Sequence, residues 1–189
     1  MRSVLRWGLV VLGFVLIAGS TDARPSDGPL RLVVWKRRHV LEVRYGEKIV
    51  RHYRVSLGLD PVGPKESRGD RKTPVGSYYV YEKRPSERFR WFIALNYPSS
   101  DDADRAFGAG RISADTWADI WIADRFHQQP PWNTPLGAFV GIHGTGAKGG
   151  RARLRQVSDW TDGCIALGDH DVDELYEMTP VGTPVEIRE

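Results

Sequence analysis

The chain is nearly free of sulfur, with one cysteine and two methionines in 189 residues. A lone cysteine, Cys164, excludes an intramolecular disulfide, so no covalent staple holds the fold. Pairs of histidines at metal-ligand spacing are also missing. His39, His52, His127 and His170 have no other histidine three or four residues away and are read as surface or turn residues. Asp101, Asp102 and Asp104 resemble a calcium loop only superficially, because the glycine and the distal glutamate of such a loop are absent. No metal and no organic cofactor is expected. A strong charge of one sign is lacking as well: the net charge of +3 is too small to argue for nucleic acid, although an acidic polymer stays compatible. There is no internal repeat and no low-complexity tract, and 41% hydrophobic with 27% charged residues fits an ordinary globular domain.

The one long apolar run lies at the start. Arg2 and Arg6 precede an uncharged stretch over 7–18, and Thr21-Asp22-Ala23 ends on a small residue, the pattern of an export signal over 1–23. A run of about a dozen residues falls short of the roughly 20 that span a bilayer, so cleavage near Ala23 is expected, with a retained anchor as the alternative. No cysteine follows the run to carry a lipid. The remainder, 24–189, is about 166 residues, enough for one domain with its core over 30–187. Without Arg2, Arg6 and the offsetting Asp22, the net charge becomes about +2.

Between 30 and 59, β-branched and aromatic residues with short breaks predict three antiparallel strands, Tyr45-Gly46-Glu47-Lys48 being the clearest turn. A glycine- and charge-rich loop over 60–72 leads through Thr73-Pro74-Val75-Gly76 into a strand, SYYVYEK, and a further strand is expected over 92–96. A polar segment precedes a helix over 113–126 that places Trp117, Ile120, Trp121 and Asp124 so that aromatics share a face, with Trp117 and Trp121 read as core. A proline-rich loop then leads to a strand over 138–142 that delivers His143. A glycine- and arginine-rich insert follows, then Thr161-Asp162-Gly163-Cys164, a helix over 169–178 and a last strand over 184–188. The fold class is mainly β, a β-rich α+β domain with two or three helices.

Cys164 admits three readings: a small inert core residue, an intermolecular disulfide, or a catalytic thiolate with a base in reach. His143 and Cys164 both stand beside glycines at strand-to-loop transitions, from which side chains project into clefts. Gly163 lets the backbone turn and leaves the Cys164 N–H exposed, as an oxyanion donor must be. A histidine beside the thiol lowers its pKa. On spacing alone, catalysis and burial both stay open.

Larger motifs carry a resemblance. HGTG at 143–146, TDGC at 161–164, TPVGSYYVYEK, and the opening LRLVVWKRRHVLEVRYGEKIVRHYRVSLG together resemble the L,D-transpeptidase catalytic domain (YkuD-type). That family is a β-rich sandwich or barrel found in bacterial cell-wall enzymes, and the likeness covers most of 30–187. The chain departs from the family at two places: Asp162 stands where histidine usually precedes Gly-Cys, and Ala166 where arginine commonly follows. TDGC in place of SHGC is similar to a YafK-like subgroup, which includes a hydrolase that releases lipoprotein from peptidoglycan.

The resemblance implies acyl transfer on peptidoglycan stem peptides at meso-diaminopimelate. Cys164 is then the nucleophile, and His143 takes its proton and gives it to the departing amine. The N–H groups of Cys164 and Gly163 are the implied oxyanion donors. The Gly144 carbonyl orients the imidazole, with Asp162 as its replacement or as a tuner of charge. Arg151, Arg153 and Arg155 in the insert either hold a stem-peptide carboxylate or form a solvated loop. Trp160 packs, by preference, or lines the cleft. Transfer to an amine makes cross-links or attaches a protein or D-amino acid. Transfer to water makes a thiol hydrolase of diaminopimelate-linked bonds, with an outer-membrane lipoprotein as a further partner. A non-catalytic wall-binding module is the third alternative. The implied location is the periplasm, and a monomer is expected.

Overall fold

The computed structural model describes residues 28–189, so the expected export signal over 1–23 lies outside the described residues. Leu30–Trp35 (β1), Val40–Tyr45 (β2) and Lys48–Arg54 (β3) form the expected antiparallel meander. Gly46, with φ +57, supplies the left-handed position of the β2–β3 turn. β3 is an edge strand that buries Tyr53 and turns Lys48, Arg51, His52 and Arg54 to solvent, a charged rim that discourages edge-to-edge pairing.

Gly76–Ser86 (β4) and Arg90–Leu95 (β5) make a second hairpin. Gly141–His143 (β6) pairs antiparallel with β5, and Ile165–Ala166 (β7) lies parallel to β6. The last strand, Pro184–Arg188 (β8), enters parallel to β1 and antiparallel to β4 and so joins the two hairpins. The result is one eight-stranded mixed sheet in the order β3-β2-β1-β8-β4-β5-β6-β7. Past β3 the chain turns back to the far edge, where Ser56 and Ala166 exchange N–H···O bonds of 2.9 and 2.8 Å. This contact curls the sheet around a core that includes Leu32, Val43, Leu57, Ile93, Ile142 and Ile165. It also sets the segment before β7 beside β6.

Among the described residues there are four helices: Ser100–Gly108 (α1), Ala114–Arg125 (α2), Gly149–Val157 (α3) and Asp169–Met178 (α4). α2 and α4 stand where the pattern predicts. α1 fills the segment read as merely polar; its buried face is only Asp102, Ala103 and Ala106, too small to show as an apolar stripe. α1 is started by a capping box between Ser99 and Asp102. Asp102 also accepts from Tyr78 and Arg105, and Asp104 accepts from the Trp117 indole N–H, so these two carboxylates hold the fold together. α3 occupies the arginine-rich insert and buries nothing, which leaves no periodicity to read.

Two expectations need correcting. α2 buries Ile120 and Ala123, and the half-buried Trp117 packs against the core as expected, whereas Trp121 is 41% exposed. β6 begins at Gly141 and not at 138, because Phe139 adopts φ +58 and cannot continue a strand. Among the described residues no helix is long and apolar enough to cross a membrane, and no group of three or more His, Cys, Asp or Glu side chains is arranged to hold a metal ion.

Candidate active site

His143 closes β6, paired with Phe92 on one side and Ala166 on the other, and is 2% exposed. Phe89 stacks on its ring at 4.1 Å, and Trp160 meets it edge-on at 5.7 Å. Its Nδ1 lies 2.7 Å from the Gly144 carbonyl oxygen. A carbonyl can only accept, so Nδ1 carries the hydrogen and Nε2 presents a lone pair. Burial brings His143 down to about 4, opposed by the Gly144 hydrogen bond and reinforced by the cations of Arg88 and Arg155. The ring is therefore a neutral base at neutral pH.

The lid over this ring is the β4–β5 loop. Ser86 and Arg90 pair, and the Ser86 hydroxyl accepts from the Phe89 N–H at 3.1 Å, which presents Arg88 and Phe89 toward β6. The chain leaving β6 passes directly under the loop, with the Gly144 N–H donating to the Phe89 carbonyl at 3.0 Å. At Gly146, φ +59, a Cβ would lie 1.9 Å from the Arg88 carbonyl oxygen. The second glycine of HGTG thus serves a close approach of two backbones.

Thr161 organises the TDGC turn. Its hydroxyl donates to the Cys164 carbonyl at 2.7 Å and accepts the Gly163 N–H at 3.1 Å. Gly163 has φ +133, and a Cβ there would meet the Lys72 carbonyl oxygen at 2.7 Å. Gly163 therefore supplies conformation, and its N–H is already committed. Of the two expected oxyanion donors, the Cys164 N–H is the one that this turn leaves as the candidate. Cys164 is half-buried, and its Sγ donates to the Phe139 carbonyl at 3.4 Å rather than to His143. Burial pushes the thiol up to about 11; the Asp162 carboxylate adds to this, while the Gly141 N–H and the Lys65 ammonium oppose it. In place of the lowered thiol pKa expected from the sequence, the resting pair is a neutral thiol and a neutral imidazole.

Cys164 and His143 face one cavity of about 260 Å³, shared with Arg88, Phe89, Arg155, Trp160, Thr161 and Asp162. Trp160 lines the cleft and also packs, its indole N–H donating to the Arg155 carbonyl at 2.9 Å. Of the three arginines of the insert only Arg155 reaches the cavity; Arg151 and Arg153 are exposed on α3 and do not line it. Asp162 is exposed and makes no hydrogen bond to the imidazole, whose Nδ1 is held by Gly144. Asp162 also borders a second cavity, about 380 Å³, with Trp132, Phe139, Arg68 and Lys65. Arg88 and Phe89 escaped the sequence reading because a hairpin loop some fifty residues from β6 carries no motif. The arrangement offers a thiol, a base of fixed tautomer and a backbone donor around a common space, the elements of acyl transfer.

The fold recurs among solved structures, Pgp2 and Bd1075 among them. Pgp2, a helical cell shape determining protein from Campylobacter jejuni, superposes with a TM-score of 0.55 at 20% identity, covering 85% of this chain and 48% of that one. Bd1075 from Bdellovibrio bacteriovorus gives a TM-score of 0.53 at 19% identity, with the same coverage of 85% and 48%. The chain thus spans about half the length of each. A search of curated proteins returned no match. Residues 29–187 match YkuD, the L,D-transpeptidase catalytic domain, from the first strand of the sheet almost to the end of the last. With nearly all of its described residues inside that match, the chain belongs to the L,D-transpeptidase catalytic domain family.

Proposed function

We propose that this protein is a cysteine acyltransferase acting on peptidoglycan stem peptides at meso-diaminopimelate, in the periplasm after export. The observation that carries the reading is the shared cavity of Cys164 and His143, with the imidazole locked by Gly144 so that Nε2 is the free base. As Sγ attacks the diaminopimelate carbonyl, its proton passes to Nε2 and a C–S bond forms. The tetrahedral oxyanion takes the Cys164 N–H. Collapse breaks the C–N bond, and the imidazolium proton goes to the departing amine, leaving a thioester and a neutral ring. An acceptor amine then gives a cross-link, or an attached protein or D-amino acid. Because the thiolate arises only during attack, the thiol need not be ionised beforehand. Pgp2 is a helical cell shape determining protein, and a role in cell-wall shape is part of this proposal.

Hydrolysis is the second reading, favoured by the exposed Asp162 carboxylate that borders both cavities and can hold water near the thioester. Intact-mass spectrometry with diaminopimelate-containing tetrapeptide muropeptides, with and without an added amine, tests both. An adduct on Cys164 with cross-linked product only when amine is present is the expected result. Turnover by water alone makes the protein a hydrolase. Absence of any adduct, with a thiol that resists alkylation at alkaline pH until unfolding, would leave a binding module.

A further inference from the structure

We infer that His39 is a positioning residue for acyl transfer: by clamping Asp159 it holds Trp160 against the catalytic imidazole and fixes the start of the TDGC turn. The inference rests on the acyl-transfer reading above and adds to it a residue of the β1–β2 turn that touches no reacting atom.

His39 stands on a rigid mount. Its backbone is left-handed at φ +51, its N–H donates to the Lys36 carbonyl at 3.1 Å, and its own carbonyl accepts the Val55 N–H at 3.0 Å. With both backbone groups bonded, at a φ that residues other than glycine rarely take, the side chain departs from a fixed point. Nε2 lies 3.1 and 3.0 Å from the two carboxylate oxygens of Asp159. A carboxylate only accepts, so Nε2 carries the hydrogen. Oδ1 of Asp159 also accepts the Leu57 N–H at 2.7 Å. The carboxylate is thus tied both to the first hairpin turn and to the chain that crosses the sheet after β3.

The segment that carries Asp159 lacks an apolar hold of its own. α3, which ends at Val157, buries no residue, so hydrogen bonds place the approach to the active site. The Leu57 carbonyl accepts the N–H groups of Trp160 and Thr161 at 3.2 and 3.1 Å, and the Leu59 N–H donates to the Thr161 carbonyl at 3.0 Å. From there the contacts run into the site. The Trp160 ring lies 5.7 Å from that of His143, and the Thr161 hydroxyl donates to the Cys164 carbonyl at 2.7 Å and accepts the Gly163 N–H at 3.1 Å. A half-buried carboxylate that loses a donor turns toward water, and Asp159 could do so only by straining its bond to Leu57. His39 supplies the donor that keeps it in place. Its ring does not line the cavity of Cys164 and His143, so any effect on the chemistry passes through Asp159. Loosening this tie misplaces Trp160 and the Cys164 N–H, whose bond to the oxyanion exists only past the ground state. The loss therefore falls on kcat rather than KM.

The test compares His39→Asn, His39→Gln, Asp159→Asn and the His39→Asn/Asp159→Asn double variant, with diaminopimelate-containing tetrapeptide muropeptides and an added amine, well below every melting temperature. Asparagine accepts the left-handed backbone but is too short to reach Asp159, whereas the glutamine amide nitrogen reaches as far as Nε2. His39→Asn is expected to lower kcat by about tenfold with KM within about twofold, and His39→Gln to recover most of the loss. The double variant should lose no more than the worse single variant, because the two side chains act as a unit. In substrate-free protein the NMR signal of the Trp160 indole N–H should shift in His39→Asn and return in His39→Gln. A wild-type kcat in His39→Asn, a loss that His39→Gln does not reduce, or additive losses in the double variant overturn the positioning role and leave acyl transfer standing. A lowered melting temperature with an undiminished kcat per folded molecule also overturns it and marks a purely structural tie. Failure of the wild type to acylate Cys164 overturns the acyl-transfer reading and the positioning role with it.

Discussion

The Nδ1–H of His143 is donated to the carbonyl of its own successor, Gly144, at 2.7 Å. That bond decides the tautomer, and the stacked Phe89 with the edge-on Trp160 fixes the ring plane. No carboxylate is needed to orient the base, which leaves Asp162 free for another part.

Because burial and two arginines hold His143 near 4, kcat/KM is expected to stay level down to about pH 5 and to fall as pH drops through about 4. Arg88→Gln removes one of the opposing cations, so its acid limb should move upward toward the ordinary histidine value. A wild-type limb near 6.5 would contradict the neutral buried ring.

The same group links pH to stability. The unfolded histidine takes up its proton near 6.5 and the folded one near 4, so the unfolded state binds more protons in that window. Stability is expected to decline between about pH 6.5 and 4 and then level off, by on the order of 3 kcal/mol from this residue. Urea unfolding across that range, compared with His143→Gln, measures it.

Alkylation of Cys164 by iodoacetamide should be slow at neutral pH and accelerate toward pH 11, even though the residue is half-buried and not sealed off. Asp162→Asn should shift that profile to lower pH, since the carboxylate raises the thiol, and should change the maximal rate less. A rate loss as large as that of His143→Ala would instead place Asp162 in the proton-transfer machinery. Cys164→Ala should be inactive yet stable to within about 1 kcal/mol.

Gly146→Ala should destabilise the domain by roughly 2 kcal/mol or more, because its methyl would sit 1.9 Å from the Arg88 carbonyl at a φ of +59. Displacing the β4–β5 loop should also expose His143, raising the acid limb of activity in the same variant. A variant as stable as wild type would show that the loop does not pack as described.

Thr161→Val keeps the shape of the TDGC turn but removes the hydroxyl that bonds the Cys164 carbonyl and the Gly163 N–H. A loss of about 1 to 3 kcal/mol is expected from the two unsatisfied groups, read from thermal unfolding. The freed Gly163 N–H should reorient, and kcat should fall with little change in KM.

Local pattern was enough for much of this molecule. β-Branched and aromatic runs with short breaks and a tight turn specify the meander of β1 to β3, and acidic residues at the start of 169–178 mark α4, because those signals lie within a few residues of one another. The motifs HGTG and TDGC likewise identified His143, Gly144, Gly163 and Cys164 as neighbours of interest. What local pattern missed follows from the same logic. α1 buries two alanines and α3 buries nothing, so neither writes an apolar period into the chain. Trp121 shows that helical spacing tells which residues share a face and not which face meets the core. Only the curled sheet brings the Ser56–Ala166 edge contact, the β4–β5 loop and the TDGC turn around one histidine. Arg88 enters the site that way, Arg151 and Arg153 leave it, and the buried, cation-flanked ring becomes neutral. Residue identity thus determined which chemical groups are available, while long-range strand pairing decided their partners, their burial and hence their protonation.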